Sequence, residues 1–183
     1  MTKSKLRWAE VKTHLASFDR AALLGVLQDL YGADERNRAF LHARFGLRED
    51  PLQTYKEIID ASLCPDVIRG QRTSVSTARR AITQYKKALG DPVGITELLV
   101  FYCERAAGFC HDVDHRDTAY FNALVRMFEQ ALKARVGLNK NVQNDLLARL
   151  DHVRRIGRQL GNGVGEEMDV LLSEFDCMFT LEE

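Results

Sequence analysis

The sequence predicts an all-α protein, a single-domain multi-helix bundle or short HEAT-like helical solenoid built around one buried helix at about residues 95–110. Three observations predict it. Residues 95–110, ITELLVFYCERAAGFC, are apolar on nearly every side and are interrupted only by Glu97, Glu104 and Arg105, which marks a helix enclosed by others. The neighbouring segments carry one-sided apolar stripes at helical spacing, and none shows period-two alternation bounded by turn signals. With 183 residues, 45% of them hydrophobic, the chain can bury one sizeable core without metals or crosslinks, and no Ser/Gly/Pro-rich linker divides it, so residues 1–183 read as a single helical domain.

The elements follow in order. Residues 6–16 form a short first helix with Leu6, Ala9, Val11 and Leu15 apolar and Trp8 as a large anchor; Ser17 and Asp19 offer caps for the next. The second helix runs to about Tyr31, with Leu23, Leu27 and Leu30 spaced four and three apart, Leu24 and Tyr31 widening the stripe, and Gly32 as its stop. Asp34 caps a third helix with Phe40, Leu41 and Phe45, closed by Gly46, so residues 19–46 read as a helical hairpin. Asp50-Pro51 opens a fourth helix through Tyr55, Ile58 and Ile59 to about Ser62. Residues 63–73, with Pro65 and Gly70, form the longest internal loop.

Ser74 restarts the chain as a fifth helix. Its Val75, Ala78, Ile82, Tyr85 and Leu89 face one way and Ser76, Arg80, Thr83 and Lys87 the other, until Gly90. Asp91-Pro92 repeats the helix-start signal and leads into the central helix; DPLQTYKEII and DPVGITELLV are offset by about forty residues, near the HEAT/armadillo period. After the polar HDVDHRD stretch, a seventh helix carries Phe121, Leu124, Val125, Phe128, Ala131 and Leu132, and an eighth carries Val142, Leu146, Leu150, Val153 and Leu160. Gly161, Gly163 and Gly165 break the pattern before a final helix with Met168, Leu171, Leu172, Phe175 and Phe179.

The stretch LLVFYCERAAGFCHDVDHRDTAYFNALVRMFEQAL resembles a bacterial family of uncharacterised all-helical proteins, in which an apolar helix is followed by a short acidic loop and an aromatic-rich helix. The matching positions are Tyr120, Phe121, Leu124, Met127, Phe128, Glu129, Ala131 and Leu132, and LLGVLQDLYGADERNRAFLHARF is similar to that family's first hairpin. The resemblance implies a helical fold and brings no activity, cofactor or catalytic residue.

Lys+Arg and Asp+Glu both number 26, so net charge gives no overall attraction to nucleic acid or anionic membrane. Cys64, Cys103, Cys110 and Cys177 form no C-x-x-C pair and read as reduced core thiols. The opening MTKSKLRWAEV lacks a secretory apolar run, and residues 95–110 are too short and too interrupted to span a bilayer, so the expectation is a cytoplasmic protein without membrane partners.

Four constellations could carry chemistry. His111 and His115 are four apart, as a helical metal-ligand pair requires, with Asp112 or Asp114 as a possible carboxylate ligand, but HDVDH lacks the Glu of H-E-x-x-H and lies between helices. Cys110 beside His111 suggests a thiolate and base, although such dyads are seldom sequence neighbours. GNGVGEE at 161–167 has neither a preceding strand nor a P-loop Lys and reads as a helix–helix turn. The basic faces weigh more: Arg72, Arg79, Arg80 and Lys87 within 69–87, and Arg154, Arg155 and Arg158 within 149–158, could bind a phosphorylated ligand or nucleic acid. Residues 166–183 hold seven acids and no Lys or Arg, so Glu166, Glu167 and Glu174 are expected to mask part of that basic surface.

With no catalytic constellation and no cofactor signal, the reading is a non-enzymatic interaction, scaffold or regulatory protein whose partner is another protein or a second copy. Binding of nucleic acid or a phosphorylated ligand is the alternative. A metal-dependent hydrolase using the 110–117 loop is the second alternative.

Overall fold

The computed structural model describes residues 7–47 and 50–180, with side chains as far as Phe175; Leu6 and the side chains of Cys177 and Phe179 lie outside the described residues. Among the described residues the chain forms nine helices and no strand: α1 (Trp8–Leu15), α2 (Arg20–Ala33), α3 (Glu35–Phe45), α4 (Gln53–Leu63), α5 (Val75–Ala88), α6 (Pro92–Asp112), α7 (Thr118–Arg135), α8 (Lys140–Leu160) and α9 (Val164–Thr180). The fold is an all-α multi-helix bundle.

The central helix is α6. It is longer than its apolar segment because Asp91 accepts from the backbone N–H groups of Val93 and Gly94, Pro92 stands in the first turn, and the last turn takes in His111 and Asp112. At 21 residues it spans roughly 31 Å. Leu98, Leu99, Val100, Tyr102, Cys103, Ala106, Ala107, Phe109 and Cys110 are all buried, and α4, α5, α7 and α8 pack around them.

The principal contacts join helices one or two places apart in the chain. The set is α2 with α3, α3 with α5, α4 with α5 and α6, α5 with α6, α6 with α7 and α8, α7 with α8 and α9, and α8 with α9. This is the connectivity of a short stack, in which each helix is covered by its near neighbours in sequence.

Several boundaries differ from the sequence reading for local reasons. Gly32 does not stop α2, which continues to Ala33 and turns through the single extended residue Asp34. Asp34 is at once the end of α2 and the N-cap of α3, its Oδ1 accepting from Arg36 N at 2.8 Å. Pro51 lies in a turn closed by Leu52 N donating to Asp50 Oδ1, and the α4 helix begins only at Gln53. Gly165 does not break the chain but lies in the first turn of α9, while Gly161 and Gly163, both at positive φ, make the turn itself.

Candidate functional site

The first candidate surface is the N-terminal pair α1–α2. Both helices form for ordinary local reasons. Arg7 N–H donates to the Glu10 carboxylate at 3.1 Å at the start of α1, and Asp19 caps α2 by accepting from Ala22 N at 2.7 Å. Neither helix buries a single residue. The stripes that the sequence suggests for the core instead face solvent: Trp8 is 69% exposed, Leu24 57% and Leu30 50%, with Val11, Phe18, Leu23, Leu27 and Tyr31 exposed beside them. The helix and its stripe of Leu23, Leu27 and Leu30 are present, but the stripe is not covered within the described residues. The α2 helix packs on α3, and in its last turns Tyr31 Oη lies 2.8 Å from His42 Nε2 and Asn37 Nδ2 donates to Leu30 O at 2.7 Å. Arg44 Nη1 donates to Ala88 O at 3.0 Å and fastens α3 to the end of α5, so the pair is mounted on the body through α3.

The second surface is the α8 basic face. Arg154 reaches Asp151 at 2.6 Å and Asp169 at 2.7 Å, Arg158 reaches Asp169 at 2.9 Å, and Arg155 pairs with Asp151. Hydrogen bonds from Arg154 foremost hold the Asp151 and Asp169 carboxyls below their usual range. Arg149 is turned inward, onto Glu97 at 2.5 Å and Glu104 at 2.7 Å, and Glu97 also takes Lys56 at 2.7 Å. The 149–158 face is thus internally neutralised, by Asp151, Asp169, Glu97 and Glu104. Glu166, Glu167 and Glu174, expected in that role, line a different groove of about 480 Å³ between α7 and α9, together with Glu129 and Arg126.

The α5 face differs. Arg72, Arg79, Arg80, Lys86 and Lys87 are exposed, and among the described residues none of them makes an ion pair. Arg79 shares a groove of about 260 Å³ with Arg126, Asn122 and Gln130, and no carboxylate lines it. Arg126 escapes a reading by sequence clusters, because it is a lone cation on the polar side of α7.

The polar connection after α6 separates its own residues. His111 is exposed on the last helical turn with Nδ1 3.3 Å from Asp112 Oδ1, and Asp114 pairs with Arg116 at 2.6 Å. His115 packs edge-on against Tyr120, with ring centroids 5.1 Å apart, and lies 5.4 Å from Phe109. Among the described residues no group of three His, Cys, Asp or Glu side chains is placed to hold a metal ion. Cys64, Cys103 and Cys110 are free thiols; burial pushes Cys64 up to about 11, Cys110 up to about 12 and Cys103 well above the usual range. Among the described residues no helix is long and apolar enough to cross a membrane.

What the fold defines is an all-helical stack with a solvent-facing apolar pair at one end and an unpaired basic face on α5. Comparison with protein-family models, with curated proteins and with solved structures gives no match to this chain.

Proposed function

We propose that this chain is a non-enzymatic helical interaction protein and that α1–α2 is its docking element. The observation that carries the reading is that α1 and α2, 8 and 14 residues long, bury nothing while presenting Trp8, Leu24, Leu27 and Leu30. An apolar stripe left in water forgoes the burial that stabilises an amphipathic helix, and contiguous patches of this kind mark protein contacts. The free thiols fit a cytoplasmic setting. The hairpin that continues from α2 also carries part of the resemblance to a bacterial helical family, which stands as a proposed relationship.

Binding of a phosphorylated ligand or nucleic acid is the second reading, favoured by one observation: the unpaired α5 cations and the carboxylate-free Arg79/Arg126 groove. Affinity capture from the native host, with bound protein and nucleic acid both assayed, separates the two readings. Leu27→Glu is expected to remove the bound protein, while Arg79→Ala/Arg126→Ala leaves it. Retention of protein by Leu27→Glu, or nucleic acid held tightly at about 200 mM salt and lost in the double arginine variant, would replace the first reading by the second.

A further inference from the structure

We infer that the surface covering the α2 stripe is the α2 stripe of a second copy, so that two chains join end to end through their N-terminal helices. The inference rests on the docking role proposed for α1–α2 and names its partner.

The first argument is the connectivity. Helices in this stack are covered by near neighbours in sequence, and α2 has its principal packing partner in α3, with Leu23, Leu24 and Leu27 left exposed. Neighbouring helices in a stack meet through their apolar faces, and an apolar face left open is met by another apolar helix.

The second is area. Taking a large apolar residue at on the order of 200 Å², the exposures of Trp8, Val11, Phe18, Leu23, Leu24, Leu27, Leu30 and Tyr31 amount to roughly 750 Å² per chain. A standard specific interface buries about 800 Å² per partner, so two copies facing one another can supply the whole of it.

The third is charge and spacing. Residues 7–33 hold Arg7, Lys12 and Arg20 against Glu10, Asp19 and Asp29, a neutral set that attracts neither a polyanion nor an anionic lipid surface and imposes no like-charge cost on self-contact. Along α2 the seam runs Arg20, Leu23, Leu27, Leu30, alternating three and four residues as in paired helices. An antiparallel pair about a two-fold axis at Leu27 sets Leu24 against Leu30 and Leu23 against Tyr31 of the other copy, and holds the two Arg20 side chains at opposite ends of the seam. A parallel pair would set Arg20 against Arg20. The seam is therefore complementary to itself in the antiparallel sense, which a closed two-fold dimer requires.

The test uses the full chain. Trp8 is the single tryptophan and lies on α1, so its emission reports this surface alone. Sedimentation over a dilution series is expected to show a dimer at about 10 µM that dissociates on dilution, with Trp8 emission shifting to the red in step. Leu27→Glu, at a position that is solvent-facing within one chain, is expected to keep the circular dichroism of the unmodified chain and raise the dissociation constant by about 100-fold or more. A chain that stays monomeric to about 100 µM, a dimer that Leu27→Glu leaves intact, or a Trp8 spectrum unchanged across the dissociation would each overturn the inference. A monomeric chain that still loses its captured protein on Leu27→Glu overturns the second copy and keeps the docking element; one whose captured protein is unaffected overturns both.

Discussion

Arg149→Met is the most informative perturbation of the body, because Arg149 is the point where α8 is bound electrostatically to the central helix. Its guanidinium donates from Nε and Nη2 to Glu104, both at 2.7 Å, and from Nη1 to Glu97 at 2.5 Å, while Lys56 of α4 closes the cluster on Glu97 at 2.7 Å. Three helices thus meet on two carboxylates. The side chains are 34% exposed for Arg149, 20% for Glu97 and 30% for Glu104, between a surface pair and a sealed one. Removing one partner of a sealed pair costs about 3–5 kcal/mol and exposed pairs are worth about 0–1, so a loss of about 2 kcal/mol is expected here. For a chain of this length that is a fall in Tm of about 4–8 °C. Arg155→Met is the control: Arg155 is 66% exposed, pairs with Asp151 alone, and should cost no more than about 0.5 kcal/mol.

The pH dependence gives the same prediction a second readout. Burial alone would raise the Glu97 carboxyl, but hydrogen bonds from Arg149 and Lys56 outweigh it and leave the group below its usual range. A carboxyl depressed by folding adds stability that is fully present above its unfolded pKa, about 4.3, and is lost as pH falls through the folded value. The difference between the unmodified chain and Arg149→Met should therefore be constant between about pH 6 and 8 and shrink below about pH 4. Urea titrations at pH 7, 5 and 3.5 measure it. A cost equal to that of Arg155→Met, or one that does not change on acidification, would refute the view that this cluster ties α4, α6 and α8 together. In a Glu97→Gln/Glu104→Gln background the cost of Arg149→Met should fall, as a double-mutant cycle would show.

Two further substitutions test close packing. A Cβ on Gly165 would lie 2.6 Å from Arg158 Cα and 2.7 Å from its N, backbone atoms that cannot turn aside, so Gly165→Ala should destabilise by about 1–3 kcal/mol; Gly108→Ala, with open space around it inside α6, should be neutral or stabilise by up to about 1 kcal/mol. Thermal melts of the two variants decide it, and equal effects would mean that α8 and α9 do not approach so closely. Tyr120→Phe removes a buried hydroxyl that donates to Leu63 O at 3.0 Å and should cost about 1–2 kcal/mol, whereas the Tyr55 hydroxyl, fully buried, has no hydrogen-bond partner among the described residues, so Tyr55→Phe should change stability by less than about 0.5 kcal/mol or raise it. Denaturant midpoints that put the two tyrosines in the opposite order would contradict this assignment.

The helical content, the central helix and most caps were legible in the sequence because they depend on neighbours within one turn. Asp19, Asp34, Asp91 and Asp117 each accept from a backbone N–H two or three residues on, as short acidic side chains at a helix start do. Asn139, which caps α8 through Val142 N, carries the same signal. Gly165 was less legible, since a glycine in a run of three looks like a turn residue, and its reason lies across space in the backbone of Arg158.

The surfaces were harder because composition ignores helical phase. The acidic last helix does meet the basic eighth, but through Asp169, which reaches Arg154 and Arg158, whereas Glu167 and Glu174, seven residues apart, look toward α7. Counting charges in a segment gave the sign of the contact and the wrong residues. The same distinction governs α2. A stripe at Leu23, Leu27 and Leu30 states that one face is apolar, and a buried helix and an interface helix satisfy that statement equally. What separates them is the packing: α6 is surrounded by α4, α5, α7 and α8, whereas the α2 stripe is left in solvent. The apolar face of α2 is thus part of the chain's hydrophobic patterning without being part of its own core, and its spacing makes physical sense once a second apolar helix lies against it.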